Sequence, residues 1–121
     1  MDIDIKKILK MNKKDQSAAM LEIFNGLLGK NVDEIASAMK DMIMQVDKVG
    51  TDAEYIGLCE TNLTLVRSLP DATAKKVIEA RLKAQKELPE KQKNRDASNL
   101  TKALNNVDKD GKIASLIKTL S

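Results

Sequence analysis

The chain has 121 residues, 42% of them apolar and 32% charged, with a formal net charge of +3; this is one domain's length, residues 1–121, with a core to bury and no bias towards disorder. It contains no histidine, which removes Ser-His-Asp and Cys-His catalysis, histidine phosphotransfer and a ferritin-like Glu-x-x-His di-iron centre. Cys59 is the single cysteine, so no intramolecular disulfide forms, a structural zinc site within one chain is excluded, and a reducing cytoplasm is the expected compartment.

The first element expected is a short amphipathic helix over Asp2–Met11, with Ile5, Ile8 and Leu9 on one side. Asn12 can cap a second helix running to Gly29, a candidate left-handed terminator. Its apolar face collects Met20, Leu21, Ile23, Phe24, Leu27 and Leu28. Asn31 with Glu34 forms a capping box for a third helix that ends at Gly50. There Val32, Ile35, Ala36, Met39, Met42, Ile43, Val46 and Val49 recur at helical spacing, and Met44 alone falls on the opposite, charged side.

Thr51 with Glu54 makes a second capping box, opening a fourth helix from about Asp52 to Leu69, before Pro70. A fifth follows over Asp71–Leu88 and stops at Pro89. The polar stretch Glu90–Asn99 reads equally as helix or loop. A sixth helix carries Leu100, Ala103, Leu104 and Val107, and a seventh carries Ile113, Leu116, Ile117 and Leu120. No β-branched run alternates with polar residues over strand length. The expected fold is all-α, an up-and-down bundle of about four main helices with short helices at its ends. No internal repeat is evident.

No run of about 18 apolar residues is present to span a membrane, and the start of the chain, with Asp2, Asp4, Lys6 and Lys7, lacks the apolar region of a signal peptide. Asn62-Leu63-Thr64 and Asn99-Leu100-Thr101 match the glycosylation sequon but lie on apolar-periodic helices, so both read as chance. Asn106-Val107-Asp108-Lys109-Asp110-Gly111-Lys112-Ile113 resembles the first eight positions of an EF-hand calcium loop. Asn106 stands where Asp is usual, and Ile117 falls at the twelfth position in place of the bidentate Glu. The segment reads instead as a turn that caps the last helix, and neither a metal nor a cofactor is expected.

Charge is uneven: residues 31–70 hold three basic and seven acidic side chains, net −4, whereas residues 71–121 hold twelve basic and seven acidic, net +5. Lys75, Lys76, Lys91, Lys93 and Arg95 are candidate phosphate contacts. Against this, Glu79, Glu87 and Glu90 interleave with the lysines as on a solvated helix face, and aromatic stacking platforms are lacking. Arg81 and Gln85 fall inside the apolar stripe of Ala74, Val77, Ile78, Ala84 and Leu88. A guanidinium placed there needs a carboxylate, and Glu60 from the acidic middle region is the expected partner.

The fourth helix is broad in its apolar side, with Tyr55, Ile56, Leu58, Cys59, Leu63, Leu65, Val66 and Leu69, as a central helix with several neighbours would be. Cys59 is expected buried and unreactive, and Tyr55 in the core with its hydroxyl at the rim. The opposite side carries Ala53, Gly57, Thr61, Thr64 and Ser68, small residues that permit close approach of another backbone, within the chain or across a two-fold axis. No carboxylate pair is marked out as an acid/base couple.

The first functional expectation is therefore a non-enzymatic helical interaction or assembly module, a scaffold or adaptor. It would be a homo-oligomer or bind a protein partner through the small-residue face or an exposed Met44 region, with no membrane partner. The alternative is a nucleic-acid-associated accessory protein using the basic C-terminal half. A third is an enzyme or ligand-binding bundle with an anion site between helices near Arg81.

Overall fold

Side-chain caps set most of the helix starts. The structure, a computed structural model, describes residues 3–120. It comprises α1 (Ile5–Lys10), α2 (Lys13–Leu27), α3 (Val32–Val49), α4 (Asp52–Arg67), α5 (Asp71–Lys86), α6 (Glu90–Val107) and α7 (Lys112–Leu120). Asp4 and Asn12 accept from the amides of Lys7 and Asp15 at 3.1 and 2.8 Å. Both capping boxes form: the Asn31 and Thr51 side chains accept from the Glu34 and Glu54 amides, and those glutamates accept back from the cap amides. Each satisfies two donors that a helix start otherwise leaves unpaired. Asp2, where the first helix was expected to begin, lies outside the described residues.

Several expected boundaries move: α4 ends at Arg67 and α5 at Lys86, each two residues early. α2 ends at Leu27 with Leu28 as its cap, and Gly29 does not enter the left-handed region, since the one positive φ among the described residues is +73° at Gly111. The Glu90–Asn99 stretch is the first half of α6, which starts behind Pro89 and is 18 residues long. Its apolar stripe is hard to see because two inward positions are polar: Asp96 and Asn99 are buried alongside Leu100 and Ala103. Spacings of three, four and seven from Asp96 put all four on one face.

The fold is an all-α helical bundle. Within it, helices adjacent in sequence alternate between two layers. α1, α3, α5 and α7 lie side by side in one, α2, α4 and α6 in the other, and the most extensive interfaces are α3 with α5 and α4 with α6. α4 touches α1, α2, α5, α6 and α7, which accounts for its wide apolar side. The core between the layers is aliphatic, with Phe24 and Tyr55 as its aromatics and Ile5, Met20, Ile35 and Ile113 essentially shut from solvent. Two residues expected on apolar faces, Leu21 and Val49, are instead 44% and 43% exposed. Met44, expected outside, is half-buried against the core. No helix among the described residues is long and apolar enough to cross a membrane.

Candidate functional site

Arg81 does point inward and does find a carboxylate, but the partner is Asp96 of α6, not Glu60. Its two terminal nitrogens donate to the two Asp96 oxygens at 2.7 and 2.6 Å. Asp96 is 0% exposed. It also accepts from the Tyr55 hydroxyl at 2.5 Å and from Gln85 Nε2 at 2.9 Å. Burial works against ionising Asp96, yet the Arg81 charge and these donors hold its carboxyl below the ordinary range. Burial, reinforced by the Asp96 charge, pushes the Tyr55 phenol well above its usual value. The Tyr55 hydroxyl is therefore in the core, not at the rim, and the four side chains tie α4, α5 and α6 together.

Glu60 serves a different junction. It accepts from Asn106 Nδ2 at 2.8 Å and faces Lys13 Nζ at 3.7 Å, linking α4 to α6 and α2.

On the other side of α4, the five small residues divide. Gly57 and Thr61 lie against α2: Lys13 Nζ donates to the Gly57 carbonyl at 2.6 Å, and the buried Thr61 hydroxyl donates to Gln16 Oε1 at 2.5 Å. Gln16 Nε2 in turn donates to the Ile8 carbonyl at 3.0 Å, carrying the link to α1. Ala53, Thr64 and Ser68 are exposed, and the last two spend their hydroxyls on their own helix.

Two of the candidate phosphate contacts are engaged within the fold. Arg95 is spent on the α3–α4 turn, donating to Asp52 Oδ1 (2.9 Å), the Asp47 side chain (3.0 Å) and carbonyl (2.9 Å), and the Gly50 carbonyl (3.0 Å). Its guanidinium also lies 5.1 Å from the Tyr55 ring centroid, within cation–π range. Lys76 Nζ caps the end of α2 at the Leu28 carbonyl, 3.2 Å away. Lys75 and Lys91 are exposed and Lys93 is half-buried, on two different helices.

The EF-hand-like segment is closed by an arginine. Arg67 donates to Asp108 at 2.5 Å and to both oxygens of Asp110 at 2.6 and 3.0 Å. Asp108 also caps α7 through the amides of Ile113 and Ala114. No group of three or more acidic, Cys or His side chains among the described residues is placed to hold a metal.

The remaining feature is a cavity of about 90 Å³ between the two layers, to which all seven helices contribute. Its walls are almost wholly apolar, including Met20, Met39, Met42, Phe24, Leu63 and Ile78; Tyr55, Cys59, Asn62 and Arg81 are the lining residues with polar side-chain groups. Burial pushes the Cys59 thiol up to about 11, so it lines the cavity as an inert apolar group. Asn62 differs from its neighbours: its Oδ1 is shut from solvent and has no hydrogen-bond donor. A buried, unpaired carbonyl oxygen is costly and uncommon in a folded protein. Sequence reasoning met Asn62 only as a sequon. Its spacing from Leu58, Cys59, Leu63 and Val66 was the available signal that it faces inward. The chain matches no protein family, and no curated protein or solved structure matches it.

Proposed function

We propose that this chain is a non-enzymatic helical binding module that takes a small apolar ligand between its two layers. The observation that carries this reading is the apolar cavity of about 90 Å³, lined in part by Asn62, a residue whose buried Oδ1 has no partner. Apolar cavities stay dry and accept apolar guests, because water needs several polar partners to enter. Here Tyr55 and Arg81 are already bonded to Asp96, and the buried atom without a partner is Asn62 Oδ1. The groups that chemistry would need are engaged structurally: Arg67, Arg81 and Arg95 each hold aspartates, and Cys59 stays protonated. The anion site expected near Arg81 loses its basis with the guanidinium matched by Asp96. The self-association reading is weakened at Thr61, which is buried and bonded to Gln16 of α2.

Thermal denaturation with and without benzene tests the proposal. Binding to the folded state raises the midpoint by a few degrees at about ten times Kd. A Val66→Ile/Val77→Ile double variant adds two methyl-sized groups to the wall and abolishes the rise. No shift in the parent protein with benzene or with phenol, each up to its solubility, overturns the proposal.

A further inference from the structure

The polar atoms around the cavity divide sharply into satisfied and unsatisfied. The Tyr55 hydroxyl donates a hydrogen bond to Asp96 Oδ1, and Gln85 Nε2 donates one to Asp96 Oδ2. The outer nitrogens of Arg81 are matched one to one with the same carboxylate. Positive and negative charge are thereby balanced inside the wall, and no cation is left over. The buried oxygen left without a partner is Asn62 Oδ1.

From this balance we infer that the cavity selects a small, neutral ring compound carrying a single hydrogen-bond donor, a phenol-like hydroxyl or an azole-type N–H, with the donor on Asn62 Oδ1. The inference rests on the ligand-cavity reading above and names the class of ligand. A donor brought to Asn62 satisfies an oxygen that the folded protein has already stripped of water, so the ligand recovers the bond it gives up on leaving solvent. A carboxylate or phosphate has no unpaired cation to meet and would be an uncompensated charge in a low-dielectric site. Plain hydrocarbon fits the walls but leaves Asn62 unpaired.

Size and adaptability point the same way. About 90 Å³ is smaller than the roughly 150 Å³ that holds a benzene in an engineered apolar core, so a guest of one ring must displace wall atoms. Met20, Met39 and Met42 are there to yield, each with freely adjustable torsions. The lining residues that are only half-buried, Asn62, Arg81, Leu82 and Ile117, come from α4, α5 and α7. The cavity wall is therefore closest to the surface where these three helices meet, and Asn62 stands on that side.

Calorimetric titration of the full chain with phenol, benzene and benzoate tests the inference, repeated on Asn62→Leu, which keeps the branched heavy-atom shape of the side chain and removes the acceptor. In the parent protein phenol binds about tenfold more tightly than benzene, the effect of one net hydrogen bond, and benzoate does not bind. In Asn62→Leu the order inverts, because phenol then loses its bond to water with nothing in return. Should Asn62→Leu fail to fold, the phenol-to-benzene ratio of the parent protein decides alone. Equal or weaker binding of phenol, as a water held on Asn62 would give, overturns the inference while the cavity reading stands on benzene. Benzoate binding more tightly than phenol overturns the neutral-ligand class. Binding of none of the three overturns the ligand-cavity reading, and this inference with it.

Discussion

Arg81 of α5 and Asp96 of α6 meet as a two-pronged pair, 2.6 and 2.7 Å apart, with the carboxylate wholly out of solvent. Fifteen residues separate them in sequence, and between them run the end of α5, the Pro89 turn and the first turns of α6. The pair fixes how α5 and α6 cross behind Tyr55.

Removing one member strands the other. Asp96→Asn or Arg81→Met should each destabilise the fold by ~3–5 kcal/mol, read as a fall in the urea midpoint with an unchanged slope. Arg81→Met/Asp96→Leu should cost less than the sum of the two singles, because no charge remains to be stranded. Strict additivity would mean that the pair is not coupled.

The same carboxylate makes stability sensitive to acid. Asp96 is held below the ordinary range in the folded state, so the unfolded chain binds the proton more readily. Its contribution is then fully present above the unfolded value, about 3.9, and is lost as pH falls through the lower folded value. Asp52, Glu54 and Asp110 are lowered too and act with the same sign. The thermal midpoint should hold from about pH 7 to 5 and fall below about pH 4. In Asp96→Asn the fall starts from a lower midpoint and is shallower; an equally steep fall would assign the acid sensitivity to the other carboxylates alone.

Arg95 anchors the α3–α4 turn rather than a phosphate. Arg95→Ala should lower stability by ~1 kcal/mol, a figure reduced for its partial exposure. Arg95→Lys should not restore it, since one ammonium cannot replace a fork that reaches Asp47, Asp52 and Gly50 at once. Full rescue by Lys in chemical denaturation would show that charge alone matters there.

Gly111 turns the chain into α7 with φ +73°. Gly111→Ala should cost ~1 kcal/mol, because a Cβ is disfavoured in the left-handed region, and Gly111→Asn should cost less. Nothing lies within 4 Å of the added Cβ, so any loss reports backbone strain and not a clash. Identical denaturation curves for parent and Ala variant would mean that the turn relaxes.

Gly57 has room. A Cβ there meets only Lys13 Nζ, at 3.5 Å, the movable end of a side chain. Gly57→Ala should gain ~0.5–1 kcal/mol from helix propensity, with the light-scattering mass of the parent. A lower mass in the variant would restore the small-residue face as a contact between copies.

Periodicity, caps and prolines were enough to read the all-α class and most helix positions, because these are local: a stripe at 3.6-residue spacing, or an Asn three residues before a Glu, acts over one or two turns. The same local logic marked Arg81 as inward-facing and in need of a carboxylate. What it lacked was the layer order. α5 meets α6 at the Arg81–Asp96 pair, while Glu60 faces α2 and the far end of α6, and nothing within either helix encodes that choice. Arg95 looked like a free basic side chain because its acidic partners lie 43 and 48 residues away. Asn62 sits on an inward face that spacing could reveal, but that its oxygen stays unpaired beside an unfilled space depends on side chains from all seven helices. Sequence by itself determined the elements and their apolar faces. The pairing of buried charges and the cavity were decided by tertiary structure, because each is a sum over atoms that the chain brings together only on folding.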